Sequence, residues 1–115
     1  MSKIIEVRPI LLSAPYANPA TNLEVKLHLK SGYRICGMVE ITLDNGNKGL
    51  GEGYIAVFAP KVFRELILLL RPYLIGKDVS EYHDIIKDIS LVTGYWSLQG
   101  AARHAVSAIE IALFD

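Results

Sequence analysis

Apolar residues alternate with polar ones along the first half of the chain and recur every three or four positions along the second. Leu23, Val25, Leu27 and Leu29 interleave with Glu24, Lys26, His28 and Lys30, the period-two signature of a strand with one buried face. Lys3 to Ser13 is rich in Ile, Val and Leu and reads as an earlier strand. A further run, Ile35 to Leu43, meets the turn tripeptide Asp44-Asn45-Gly46 and continues into Lys48 to Tyr54. That order predicts an antiparallel hairpin with positive φ available at Asn and Gly. Ala14 to Asn22, with Pro15 and Pro19 among small and polar residues, predicts a loop that is long for a structural turn. The expected sheet is mostly a meander.

Helical spacing begins after Pro60, a residue suited to a first helical turn, and stops at Arg71-Pro72. Leu66, Ile67, Leu69 and Leu70 are expected to form the buried side of this helix. A connector, Tyr73 to Asp78, leads to a second helix. There Tyr82, Ile85, Ile86, Ile89 and Val92 fall three and four apart, opposite Glu81, Asp84, Lys87 and Asp88. After a turn near Thr93-Gly94, a third helix runs from about Leu98 to the end. Its Ala101, Ala102, Ala105, Ala108 and Ala112 offer small surfaces for close packing. No Gly, Asn or basic residue follows Leu113-Phe114, and Asp115 places negative charge at the negative end of the helix dipole. A domain seldom stops this way, so the reading frame is expected to continue past Asp115.

Composition narrows the partners. The 115 residues suffice for one domain with a hydrophobic core, here 1–115. Twelve basic residues balance twelve acidic ones, which leaves no electrostatic footprint for nucleic acid or an anionic membrane. The longest strongly apolar run, Leu66 to Leu70, is far short of the roughly 20 residues that span a bilayer. Cys36 is the single cysteine, and the first residues lack the apolar stretch of a signal peptide, so a cytoplasmic location is expected. The apolar fraction of 51% and the mean hydropathy of +0.30 are high for a small domain, and some apolar surface is expected to meet a partner.

Few side chains suggest chemistry. His28, His83 and His104 are far apart and neither a CxxC pair nor an HExxH helix is present, so no metal ligands are assigned. Glu40, Asp44 and Glu52 are near one another in sequence, but Asp44 serves the turn and the strand register of the other two decides whether they meet. Gly49-Leu50-Gly51-Glu52-Gly53 lies within a strand pattern rather than between a strand and a helix; its glycines mark a bulge or a close backbone approach, not a phosphate loop. Arg103 and Glu110 flank Ser107 and form either a polar seam or a solvated face. Tyr16, Tyr33, Tyr54 and Phe58 occupy or border loops where packing alone does not require them.

Four segments together resemble the N-terminal domain of the enolase superfamily, most nearly its mandelate racemase and muconate lactonizing enzyme branch. They are Val39 to Gly46, Gly49 to Gly53, Pro72 to Asp78, and Ala105 to Asp115, and in order and spacing they cover most of the chain from Tyr33 onward. The resemblance implies an α+β domain, a three-stranded antiparallel meander followed by a bundle of about three helices, packed as a lid over a (β/α) barrel that would begin after Asp115. Family members remove a proton α to a carboxylate with a divalent metal, usually Mg2+, and a Lys or His base. Those groups lie on the barrel, so no catalytic residue is assigned here and the 115-residue piece is expected to be inactive and to bind no cofactor itself. The lid supplies two loops, Pro15 to about Tyr33 and Tyr54 to Pro60. From them Tyr16, Asn18, Tyr54 and Phe58 are expected to bind substrate, polar groups orienting it and rings excluding water. The strand pattern of Leu23 to Leu29 departs from the usual loop and implies an extended flap.

The resulting expectation is the capping and specificity domain of an acid-sugar dehydratase, racemase, epimerase or cycloisomerase, or of a related carboxylate-processing lyase or isomerase. Its partners would be its own barrel and a small carboxylate, and the isolated piece would self-associate or form homo-oligomers. A self-contained interaction module that binds a protein through its apolar last helix is the alternative. A complete small enzyme using Glu40 and Glu52 ranks last.

Overall fold

Two glycines of the last strand determine how closely the helices approach the sheet. The computed structural model describes residues 2–15, 33–53, 56, 59–93 and 101–114. The sheet comprises β1 (Ile4–Pro15), β2 (Tyr33–Leu43) and β3 (Lys48–Gly53), antiparallel and in the order β1-β2-β3. The meander and the (α+β) order expected from the sequence are therefore present. The strand β1 runs two residues further than its apolar run, so Ala14 and Pro15 pair with Arg34 and Tyr33 instead of opening the loop.

Along β3 burial alternates strictly: Lys48, Leu50 and Glu52 are exposed, and Gly49, Gly51 and Gly53 are buried. All three glycines thus face the helices. A Cβ at Gly51 would overlap the carbonyl oxygen of Ala108 and come within 2.9 Å of the Ala112 amide nitrogen. One at Gly53 would overlap the ring of Phe63, and one at Gly37 the methyl of Ala56. Close approach, one of the two readings of this glycine run, is what the structure contains.

The β2–β3 turn is the four residues Asp44 to Asn47, closed by the Leu43 N–H donating to the Asn47 carbonyl at 2.9 Å. The Gly46 N–H donates to the Leu43 carbonyl at 3.0 Å, and Gly46 has φ +90°. Positive φ falls on Gly46 alone among the loop residues, while Asn45 contributes its side-chain oxygen, which accepts from the Asn47 N–H at 2.9 Å.

The start of β1 is held on two sides. Its Ile4 N–H donates to Lys77 O and its carbonyl accepts from Gly76 N–H, both at 2.8 Å, while the Lys3 carbonyl accepts from Asp44 N–H at 2.9 Å. A register shift between Ile4 and Glu6 inserts Ile5 as an extra, exposed residue, so Ile4 and Val7 both point inward. The same bulge aims Glu6 at Arg71, which donates from Nε at 2.9 Å and approaches from Nη2 at 2.8 Å. The Val7 N–H also donates to the Glu6 carboxylate at 2.9 Å; this bond first, and Arg71 second, hold the Glu6 carboxyl below the usual range.

Three helices follow: α1 (Pro60–Leu70), α2 (Tyr82–Val92) and α3 (Ala101–Phe114). In α1 the buried residues are Phe63, Ile67 and Leu70, one apolar stripe at i, i+4 and i+7. Leu69 is 53% exposed and does not belong to the buried side. In the run Leu66 to Leu70 every residue is apolar, so hydropathy carries no contrast there and the geometry selects Ile67 and Leu70. In α2, Ile85 and Ile89 are buried and Asp84, Lys87 and Asp88 exposed, as is Glu81 just before its first residue, but Val92 at the C-terminal end is 41% exposed. Thr93 closes that helix from a buried position, its hydroxyl donating to the Ile89 carbonyl at 2.7 Å. In α3, Ala105, Val106, Ala108, Ile109 and Ala112 are buried, and the sheet's Val7, Val39 and Ile41 complete the core. Tyr82 meets Phe114 edge-on at 4.9 Å, joining the start of α2 to the end of α3.

Replacing Gly51 by Ala should destabilise the domain by about 2–3 kcal/mol, because backbone atoms of α3 occupy the space. Glu52→Ala, on the opposite face, should cost less than about 0.5 kcal/mol. Urea unfolding of both variants decides this; equal costs would contradict the close-approach account. Glu6 makes a pH-dependent contribution as well. Its folded-state carboxyl is depressed, so the stabilisation is present above about pH 4.5 and is lost as pH falls through the lower folded value. Urea titrations of wild type and Glu6→Gln at neutral and acidic pH should show a stability gap that narrows in acid; a constant gap would exclude the linkage.

Candidate functional site

Because Pro15 and Tyr33 are register partners, residues 16–32 leave and re-enter the sheet at a single point. Strand β3 runs antiparallel to β2, and its last residue, Gly53, pairs with Gly37 near the same end. Residues 54–59, which lead from β3 into α1, therefore leave from that end too. Both expected loops are based on one edge of the domain, on opposite sides of β2. This is the arrangement that a two-loop cap needs.

The second loop has a fixed middle. Ala56 is fully buried, in the space left by the missing side chain of Gly37 and against the core that contains Phe63. Pro60 then starts α1, and Phe63, three residues on, packs against Gly53. Between the two loop bases lies a shallow groove of about 250 Å³, lined by Leu11, Leu12, Ser13, Ile35, Pro60 and Lys61. Lys61 was not singled out in the sequence; an exposed lysine in a first helical turn carries no distinguishing pattern. The only available signal was its position directly after Pro60, where the second loop ends.

Tyr16 and Asn18 of the first loop, and Tyr54 and Phe58 of the second, lie outside the described residues. Their neighbours Pro15, Gly53 and Ala59 place both pairs in sequence next to the loop-bearing end. His28 and the strand pattern of Leu23 to Leu29 also lie outside the described residues.

The remaining candidates have ordinary structural partners. Glu40 points to the sheet face away from the helices and is met by Arg8 at 3.4 Å and Lys48 at 3.6 Å. The register sets it opposite Leu50, and Glu52 opposite Met38, so the two carboxylates are diagonal neighbours. Asp44 accepts from the Lys3 N–H at 3.2 Å, a contact of the turn. Cys36 is half-buried on the outer face across from Leu12. His83 is exposed beside Tyr82, with ring centroids 4.2 Å apart, and His104 is half-buried on α3. Arg103 is exposed, while Ser107 and Glu110 are half-buried. Among the described residues, no three His, Cys, Asp or Glu side chains converge to hold a metal ion, and no helix is long and apolar enough to cross a membrane.

The fold has counterparts among solved structures. The chain is similar to 3,6-anhydro-D-galactonate cycloisomerase from Zobellia galactanivorans, with 26% identity and a TM-score of 0.79 over 98% of this chain and 27% of that one. It shares its fold with a member of the enolase superfamily from Agrobacterium tumefaciens, at 24% identity and a TM-score of 0.77, over 98% of this chain and 33% of that one. It also shares it with L-talarate dehydratase from Polaromonas sp. JS666, complexed with Mg and L-glucarate, at 23% identity and a TM-score of 0.72, over 99% of this chain and 31% of that one. The chain thus spans about a third or less of the length of these proteins. A search of curated proteins found no significant match. The model of the mandelate racemase / muconate lactonizing enzyme N-terminal domain matches residues 18–115. With that match over most of its length, on the meander and three-helix fold described above, the chain belongs to the mandelate racemase / muconate lactonizing enzyme family as its N-terminal domain.

Proposed function

We propose that the chain is the substrate-capping and specificity domain of a larger cytoplasmic enzyme that abstracts a proton α to a carboxylate. The observation that carries this reading is that residues 16–32 and 54–59 are both based at one end of the sheet, held there by the Pro15–Tyr33 and Gly53–Gly37 pairings. Two loops on a rigid base can close over a small acid, exclude water and complete its binding site. Tyr16, Asn18, Tyr54 and Phe58 are the side chains assigned to that task.

The Mg2+ of this chemistry, together with the Lys or His base, is assigned to the barrel domain that membership of this family implies. The ion's contribution there is to stabilise the enolate. This domain's contribution is to bind, orient and desolvate. The similarity to a cycloisomerase of a sugar-derived acid supports an acid-sugar lyase or isomerase. Dehydration, racemisation, epimerisation and cycloisomerisation all begin from the same enolate.

Exposed apolar side chains favour a covering domain. Leu91 is 71% exposed near the C-terminal end of α2, and Phe114 is 63% exposed beside the start of the same helix. An interaction module working through the apolar face of α3 is less well supported, because that face is already spent against β3, as the overlap of a Gly51 Cβ with Ala108 requires.

In the full-length protein, incubation with a panel of sugar acids in heavy water should exchange the proton α to the carboxylate of at least one of them. Tyr54→Ala should then raise KM roughly three- to tenfold or shift selectivity within the panel. An unaltered substrate profile would remove Tyr54 from the site, and absence of exchange on every acid would overturn the enzyme reading.

A further inference from the structure

Among the described residues β1 is the longest strand and forms one edge of the sheet. Its apolar middle is open, with Leu11 37% and Leu12 54% exposed. A long apolar edge presents a row of unpaired backbone groups to which a second strand can add. In an antiparallel edge strand, successive N–H groups point alternately at the neighbouring strand and away from it. The Val7 N–H shows which residues point away, because it donates to the Glu6 carboxylate at 2.9 Å. Pro9, Leu11, Ser13 and Pro15 follow at every second position and face the same edge.

Few of these positions can donate. Before the bulge, the Ile4 N–H and carbonyl are taken by Lys77 and Gly76, both at 2.8 Å. The Val7 N–H is held by Glu6, whose carboxylate is fixed in turn by Arg71 Nε at 2.9 Å. Pro9 and Pro15 have no N–H at all, and an edge-facing position is where a strand tolerates proline. Leu11 and Ser13 are left, beside Pro60 and Lys61 at the first turn of α1.

We propose that Glu6, Pro9 and Pro15 close the β1 edge to strand addition by a second copy of the chain. Two-fold pairing of β1 with itself about Ile10 would set residue 7 opposite 13 and 9 opposite 11. Every such pair lacks one donor, because Val7 is occupied and Pro9 has none. Pairing about Leu12 would keep Leu11 opposite Ser13 but set Pro9 opposite Pro15 on both sides, so the ladder ends there. Neither register can extend. Association through the domain's apolar surfaces is thereby kept from running along β1.

The test uses the full-length protein as wild type, Pro9→Thr, the double variant Glu6→Ala with Pro9→Thr, and Arg71→Met. In the wild type the Leu11 and Ser13 amides should exchange with heavy water quickly, and those of Val7, Ile10 and Leu12 slowly. Slow exchange at Leu11 and Ser13 would mean an edge already covered and would overturn the inference. The double variant, with donors restored at 7 and 9, should self-associate at least about tenfold more tightly than the wild type in sedimentation. Its Leu11 and Ser13 amides should become protected as it does so. Pro9→Thr alone should associate to a lesser degree, and it decides the matter if the double variant does not fold. Arg71→Met removes the ion pair but leaves Glu6 and Pro9 in place, so it should sediment as the wild type. Folded variants at position 9 that sediment as the wild type would overturn the inference. So would equal association of Arg71→Met, which is the mark of general destabilisation.

Discussion

The contact between Gly51 and Ala108 governs the rest of the domain. A strand carrying side chains on its inner face keeps a helix at the usual side-chain distance; β3 carries only glycine there. The backbone of α3 consequently sits where a Cβ would be, and the small residues Ala105, Ala108 and Ala112 face the strand. Glycine residues give up conformational entropy and side-chain burial in a strand. The offset comes from the close-packed layer that they permit, together with Val106 and Ile109, which are fully buried in the same helix.

That layer also sets the functional edge. With α3 drawn down onto β3, Phe63 of α1 occupies the space beside Gly53, and Ala56 that beside Gly37. The second loop is thereby held at its centre and at both ends, and the first is held by the last pair of the β1–β2 ladder. In the proposed capping role the loops would carry specificity and the base the stability. The opposite end is secured separately, where Ile4 bonds to the Gly76 and Lys77 backbone and Glu6 to Arg71.

Much of this was legible in the residue pattern, for identifiable reasons. The hairpin at Asp44-Asn45-Gly46 was readable because only glycine suits the third loop position, and there φ is +90°. Helix α1 was readable from Pro60 and Arg71-Pro72, and α2 from its three-and-four spacing. The inward face of α1 was not: five consecutive apolar residues offer no polar contrast, so the pattern does not separate Leu69 from Ile67, and Phe63 stands apart from that run. The faces of β1 were hidden by its bulge, which breaks the period-two rule between Ile4 and Val7. The glycine run indicated close approach without naming the partner, since register and helix position are tertiary properties. At the site, the two loops were legible as connections between elements.

The capping account depends most on what lies beyond Asp115. The most direct measurement is the length and pattern of the source reading frame past that residue. The account predicts about 250 further residues of alternating strands and helices, with spaced Asp or Glu metal ligands and a Lys or His base. A frame that stops at Asp115 would contradict it.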